Sequence, residues 1–381
     1  MTLAILLVSV PIHNDVEYAL QSEARSADTL GGNSFIDAPT WRVNDRWVYS
    51  GELDVYDFIA DSGVSTNVNT LTGTLDVQVE SINLVDVGGI QTLAYTVAGT
   101  GDYRADNIQL EGQNGDVVVE MDTTSVIRVS DMAVISQTAT IDIEFDPAFG
   151  WICWLISCDI ASITASNEYW PPLERHDFPL SVGDTWVNNY TLNTTYSGSS
   201  SYVTIPQSTS DQVETTSTVV QAGYPGVSQS GCSVSYNVTA TDVNGSLVGY
   251  GWHCDSMKND VITLNEVTLG LMARHEIDYS TLSPRPYVID VEPMYPLAPF
   301  DFTSPIWVNV SDANGAPTAN QLIEFRYDPT GEVQTITTES NGSAFTTLNY
   351  GSQGDESLVD GEHGSHGIVA RIVNTDHMGI S

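Results

Sequence analysis

Alternation at period two constrains this chain more than any other feature. Residues 72–82 read TGTLDVQVESI, residues 117–121 read VVVEM and residues 138–145 read TATIDIEF, with apolar and polar residues taking turns along each run. Successive side chains of an extended strand point to opposite faces, so each run buries one face and wets the other. Helical periodicity is nearly absent. Gly, Asn, Asp and Ser cluster between the runs, at 86–89, 112–116, 242–246 and 312–315, where positive φ and Asx turns reverse the chain. The expectation is an all-β protein built of sandwiches or open barrels, and 381 residues hold two or three domains.

A repeat and a proline cluster divide the chain. Residues 41–49 read WRVNDRWVY and residues 180–188 read LSVGDTWVN, so Val-Asn/Gly-Asp-x-Trp-Val occurs twice. The Asn/Gly-Asp pair makes a tight turn, and the Trp anchors the strand that follows. Pro284, Pro286, Pro293, Pro296, Pro299 and Pro305 then stiffen the chain and remove ladder donors. The expected layout is a signal-like segment and linker over 1–37, and an N-terminal β domain over 38–282 with related halves 38–170 and 171–282. A linker over 283–303 and a C-terminal sandwich over 304–381 complete it. The N-terminal domain is expected to be a half-barrel or a sandwich with an internal repeat.

Two resemblances attach to these motifs. The segment Val182-Gly183-Asp184-x-Trp186, preceded by Trp170-Pro171-Pro172 and Phe178-Pro179-Leu180, resembles uncharacterised secreted β proteins of archaea over about residues 40–282, and implies no activity. Beyond the prolines, residues 307–311 (WVNVS), 312–317 (DANGAP), 322–325 (LIEF), 339–344 (ESNGSA) and 368–373 (IVARIV) follow the order strand, turn, strand, turn, strand. That order resembles the immunoglobulin-like repeats of invasin-type bacterial surface proteins, apart from a long acidic insertion at 354–366. The resemblance implies an Ig-like β-sandwich serving as a spacer or adhesive module, without catalytic residues. Trp307, Val308, Val310, Ile323, Phe325, Ile336, Phe345, Ile368, Val369 and Ile372 are its expected core.

Charge narrows the partners. Asp and Glu number 49 against 11 basic residues, Lys258 is the single lysine, and the formal net charge is −38. Such a surface repels phosphate backbones, so nucleic acid is excluded as a partner. It suits high salt, where self-repulsion is screened. A short apolar run at 3–10, followed by Ala24, Ser26 and Ala27, matches part of a secretory signal without the positive n-region, the alternative being an ordinary buried strand, and is too short to span a bilayer. Cys153 with Cys158 and Cys232 with Cys254 form two local pairs suited to disulfides in an oxidising compartment. Asn189, Asn193, Asn237, Asn244, Asn309 and Asn341 carry the glycan-acceptor pattern and are expected in exposed turns.

The chemistry is mostly negative. HExxH, GxSxG, Walker and GxGxxG patterns do not occur, and the histidines are scattered, so neither a catalytic set nor a cofactor or metal site is assigned. Asp142, Glu144 and Asp146 share one strand face, and Asp360, Glu362, His363 and His366 share a Gly-rich loop; solvated surface is the better account of both. Asp242-Val243-Asn244-Gly245 spells half a calcium loop, and Asp290, Glu292 and Asp312 are candidates for a structural calcium ion. The apolar run 148–160, AFGWICWLISCDI, offers Trp151, Trp154, Leu155 and Ile156 as contacts for a partner or ligand, or as a plug in the domain's own core. The function expected is non-enzymatic: an extracellular or cell-surface component acting in structure, adhesion or spacing, with other surface proteins or glycans as partners. The alternative is a carrier sheltering a lipid or small apolar ligand in the N-terminal domain.

Overall fold

The computed structural model describes residues 36–381 apart from 57, 60–64, 149–152, 154–157, 202–203, 226–230, 233, 295–302, 329 and 350–366. Twelve strands form a closed antiparallel barrel: β1 (Arg46–Asp54), β2 (Thr70–Val87), β3 (Ile90–Leu110), β4 (Gln113–Arg128), β5 (Val134–Pro147), β6 (Asp159–Leu173), β7 (Thr185–Ser200), β8 (Thr209–Gly223), β9 (Ser235–Asp242), β10 (Leu247–Cys254), β11 (Asn259–Thr268) and β12 (Leu271–Thr281). Each strand pairs with its neighbours in sequence, and β12 returns to pair with β1. The half-barrel or sandwich expected for this region is therefore replaced by a sheet closed on itself, which leaves no free edge.

The alternation read from sequence sets the barrel wall. In β5, Ala139, Ile141, Ile143 and Phe145 are buried, while the alternating Glu144 and Asp146 are exposed. The two largest clusters of buried side chains are Trp41, Trp47, Tyr49, Tyr95, Trp252 and Ile277 with their neighbours, and Leu53, Leu71, Val119, Ile141, Phe145 and Ile163 with theirs; Trp186, Val219 and Tyr236 anchor a third, and Tyr169 and Tyr190 a fourth. His275 touches the aromatic rings of both Tyr49 and Tyr103, and its Nε2 lies 2.5 Å from the Tyr103 hydroxyl. Gly51 makes room for it, since a Cβ there would stand 2.4 Å from the imidazole. Burial pushes the His275 pKa down to about 4, so the ring is neutral at physiological pH.

The two sequence copies fold into matching turns. Asn44 and Gly183 both take positive φ, 71° and 98°. The Asp45 and Asp184 carboxylates each accept from the backbone N–H three residues upstream, at 2.8 Å. Asn44 N–H donates to Val79 O and Gly183 N–H to Val219 O, while Val79 and Val219 N–H donate back to Asp45 O and Asp184 O. Bulges follow Val79 in β2 and Val219 in β8. The barrel thus holds two six-strand halves with the same opening turn.

The remaining strands form two small sheets. β13 (Tyr287–Pro293), β14 (Thr303–Asp312) and β17 (Ser343–Asn349) make one; β15 (Leu322–Tyr327), β16 (Glu332–Thr337), β18 (Ile368–Ile372) and β19 (Met378–Ile380) make the other, in the order β16-β15-β18-β19. Part of the proline-rich stretch is therefore strand. Val291, Ile306, Val308, Val310, Ile323, Phe325, Leu348 and Ile368 from both sheets share one core. Trp307 and Phe345 are not in it: they pair across β14 and β17 on the outer face, where Phe345 is exposed. Val369 and Met378 pack instead with the Trp47 cluster of the barrel.

Polar contacts complete that junction. Asp45 accepts from Ser283 N–H at 2.7 Å and pairs with Arg285 at 2.8 Å; Arg42 pairs with Asp376 at 2.6 Å. Arg326 donates to Gln91 O at 2.8 Å. Arg128 donates through Nε to both Asp131 oxygens at 2.9 Å, and beside this pair lies the buried Asp328.

Candidate functional site

The best-defined group of reactive side chains is His176, His253 and Asp260, whose ligand-type atoms all lie within 4.8 Å of one another. The elements that place them follow from the repeat. Trp47, opening β1, donates its indole N–H to Met257 O at 2.7 Å, and Trp41 donates to Lys258 O. Tyr49 donates its hydroxyl to Asp260 O at 2.9 Å. Three aromatic residues at the start of the barrel thus hold the backbone of the β10–β11 hairpin. Trp186, the counterpart of Trp47 in the second copy, donates to Glu174 O at 3.1 Å and so fixes the segment carrying His176.

Within the hairpin, pairing slips between Trp252 and His253, a bulge that redirects a side chain. Cys254, next to His253, is bonded to Cys232. Asp260 Oδ1 lies 3.2 Å from His176 Nε2 and 3.1 Å from His253 Nδ1. Its other oxygen sits where Gly251 lacks a side chain, since a Cβ on Gly251 would stand 2.5 Å from Oδ2. Phe178 packs on both imidazoles, with ring centroids 5.6 Å and 5.2 Å away. Burial pushes the Asp260 carboxyl up, but the imidazoles of His176 and His253 outweigh it and hold the group well below the usual carboxylate range. Burial lowers the His253 pKa and Asp260 offsets part of that, leaving a neutral ring at physiological pH. His253 Nε2 is buried without a hydrogen-bond partner. The side chains of His176 and Asp260 retain 13% and 16% exposure, against 4% for His253.

The sequence-derived candidates fall elsewhere. Trp151, Trp154, Leu155 and Ile156 lie outside the described residues, as do residues 3–10 and the group Asp360, Glu362, His363 and His366. Cys153 is bonded to Cys158, with Cα atoms 5.3 Å apart, and Cys232 to Cys254 at 6.0 Å. Asn189, Asn193, Asn244, Asn309 and Asn341 are exposed, but Asn237 is buried in β9, and only Asn244 and Asn341 sit in turns. Glu144 and Asp146 are on the wet outer face of β5, and Asp142 is half-buried. Asp242 and Asp312 each use one carboxylate oxygen to accept two N–H groups of their own turn, from Asn244 and Ser246 and from Asn314 and Ala316, which lowers both pKa values. The calcium-like spelling at 242–245 is thus accounted for by turn capping, and Asp312 faces Tyr287 in the ladder, away from Asp290 and Glu292.

No sequence signal marks the His–Asp–His group beyond the six residues between His253 and Asp260. The chain matches no protein-family model, no curated protein and no solved structure. Among the described residues no helix is long and apolar enough to cross a membrane.

Proposed function

We propose that this is a non-enzymatic extracellular or cell-surface protein, in which the barrel is a rigid body and the C-terminal sheets form an Ig-like spacer or adhesive module. One observation supports the reading: buried side chains from all twelve strands pack into four clusters, the two largest linked by the contacts of His275 with Tyr49 and Tyr103. A carrier needs a continuous apolar cavity, and packed clusters of this kind argue against one. The Ig-like assignment draws support from the division of seven strands into sheets of three and four around one core. The oxidising compartment draws support from two disulfides and five exposed glycan-acceptor asparagines. Outward acids such as Glu120 and Asp122 do not suit a lipid-facing wall.

The test has two arms. The full chain, oxidised and in high salt, is screened against glycoside and ester substrates, and intact producing cells are probed with antibody against the sandwich. No turnover and antibody binding without permeabilisation are expected. Turnover abolished by changing one carboxylate overturns the non-enzymatic reading, and antigen found only after lysis overturns the surface one.

A further inference from the structure

We infer that His176, His253 and Asp260 form a binding site for one zinc-class divalent ion, held by two imidazole nitrogens and one carboxylate oxygen with a fourth position open to solvent. The inference is independent of the non-enzymatic reading, because an ion with three protein ligands serves as a staple as readily as a reactive centre.

Geometry comes first. Zinc bonds to nitrogen and oxygen of about 2.0–2.1 Å place neighbouring tetrahedral ligand atoms about 3.4 Å apart. His176 Nε2 and His253 Nδ1 flank the same Asp260 oxygen at 3.2 Å and 3.1 Å, near that spacing, and all three ligand-type atoms lie within 4.8 Å of one another. His176 and Asp260 are partly exposed, whereas His253 is enclosed and its ring is fixed by Phe178 and the adjoining disulfide. The cradle for the Asp260 carboxylate exists only because residue 251 is glycine, and the Tyr49 hydroxyl donates to the backbone carbonyl of Asp260.

Donor type selects the ion. Two imidazoles with one carboxylate suit zinc, cobalt, nickel or copper, whereas calcium and magnesium ask for oxygen sets. The strong negative field of the chain raises the local concentration of any divalent cation but confers no such selectivity. His176 lies between β6 and β7, while His253 is on β10 and Asp260 on β11. A bound ion would therefore tie the segment between β6 and β7, held by Trp186, to the β10–β11 hairpin, held by Trp47.

The experiment uses the full oxidised chain, stripped with chelator and kept in high salt. Zn2+ is titrated by calorimetry and Co2+ by visible absorption. The wild type should bind one Zn2+ per chain, give the intense bands of tetrahedral Co2+, and unfold at higher temperature with Zn2+ than with chelator. H176Q and D260N should each lose at least about 100-fold in affinity, while H377Q, altered in the sandwich, should bind as the wild type does. If D260N fails to fold, H176Q, changed at a partly exposed position, and the wild-type Co2+ spectrum carry the test. Failure of the wild type to bind zinc stoichiometrically, an octahedral Co2+ spectrum, or equal affinity in wild type and H176Q overturns the site.

Discussion

Asp328 shows how one buried carboxyl sets the conditions under which the molecule is tightest. It sits at the junction of barrel and sandwich, where burial pushes its pKa up to about 6, against the pull of Thr92, Ser130 and Arg128. The two hydroxyls lean toward it without closing good hydrogen bonds. A carboxyl with a raised folded-state pKa binds a proton more readily when folded, so its ionisation costs stability above pH 6 and the cost fades as pH falls toward 4. The shift from the ordinary 3.8 corresponds to about 3 kcal/mol at neutral pH. Asp328→Asn should therefore raise the unfolding midpoint at pH 8 and lose most of that advantage at pH 4.5. Denaturant melts of both proteins at the two pH values check this, and an equal difference at both would refute it. His275 and Tyr103 make the complementary point: a polar pair buried in the barrel with each member serving the other, so no charge is stranded.

At the scale of elements, the paired turns at Asp45 and Asp184 separate local from long-range work. Both carboxylates cap their own turn, but Asp45 also receives Ser283 N–H and Arg285. Asp184→Ala should cost about 1 kcal/mol, the value of one lost cap. Asp45→Ala removes the ion pair with Arg285 and leaves two N–H groups without their acceptor, and should cost about 3 kcal/mol. Chemical denaturation of the two variants measures the contrast, and equal costs would remove Asp45 from the junction. The same division explains what was legible in the sequence. The turns, the strand alternation and the cysteine pairs are short-range features, and residues 41–49 and 180–188 spell them out. Closure of β1 onto β12 is a long-range pairing with no local spelling. The face taken by Trp307 and Phe345 eluded composition, because a large ring says nothing about which side of a sheet is wet. His176 meets His253 only because Trp186 and Trp47 hold distant backbones in place.

For the whole molecule, charge is the governing quantity. Glu120 stands directly opposite Asp142 on β4 and β5, and a net charge of −38 extends the same repulsion over the surface. Raising salt from 0.1 M to 1 M shortens the screening length from about 10 Å to about 3 Å. The thermal midpoint should rise steeply with NaCl toward molar concentration, as followed by circular dichroism; a flat profile from 0.1 to 2 M would show that the surface acids are already accommodated. Closure of the barrel has a further, mechanical consequence. Arg46, at the start of β1, lies beside Thr281, at the end of β12, so the chain enters and leaves at one corner. Tension applied through those two points loads the hydrogen bonds of this antiparallel seam one after another, as in opening a zip, instead of all together in shear. Asp45, Arg285 and Ser283 sit where the zip would start. In a protein under pull, that small knot of charge and hydrogen bonds decides when the twelve-stranded wall begins to open.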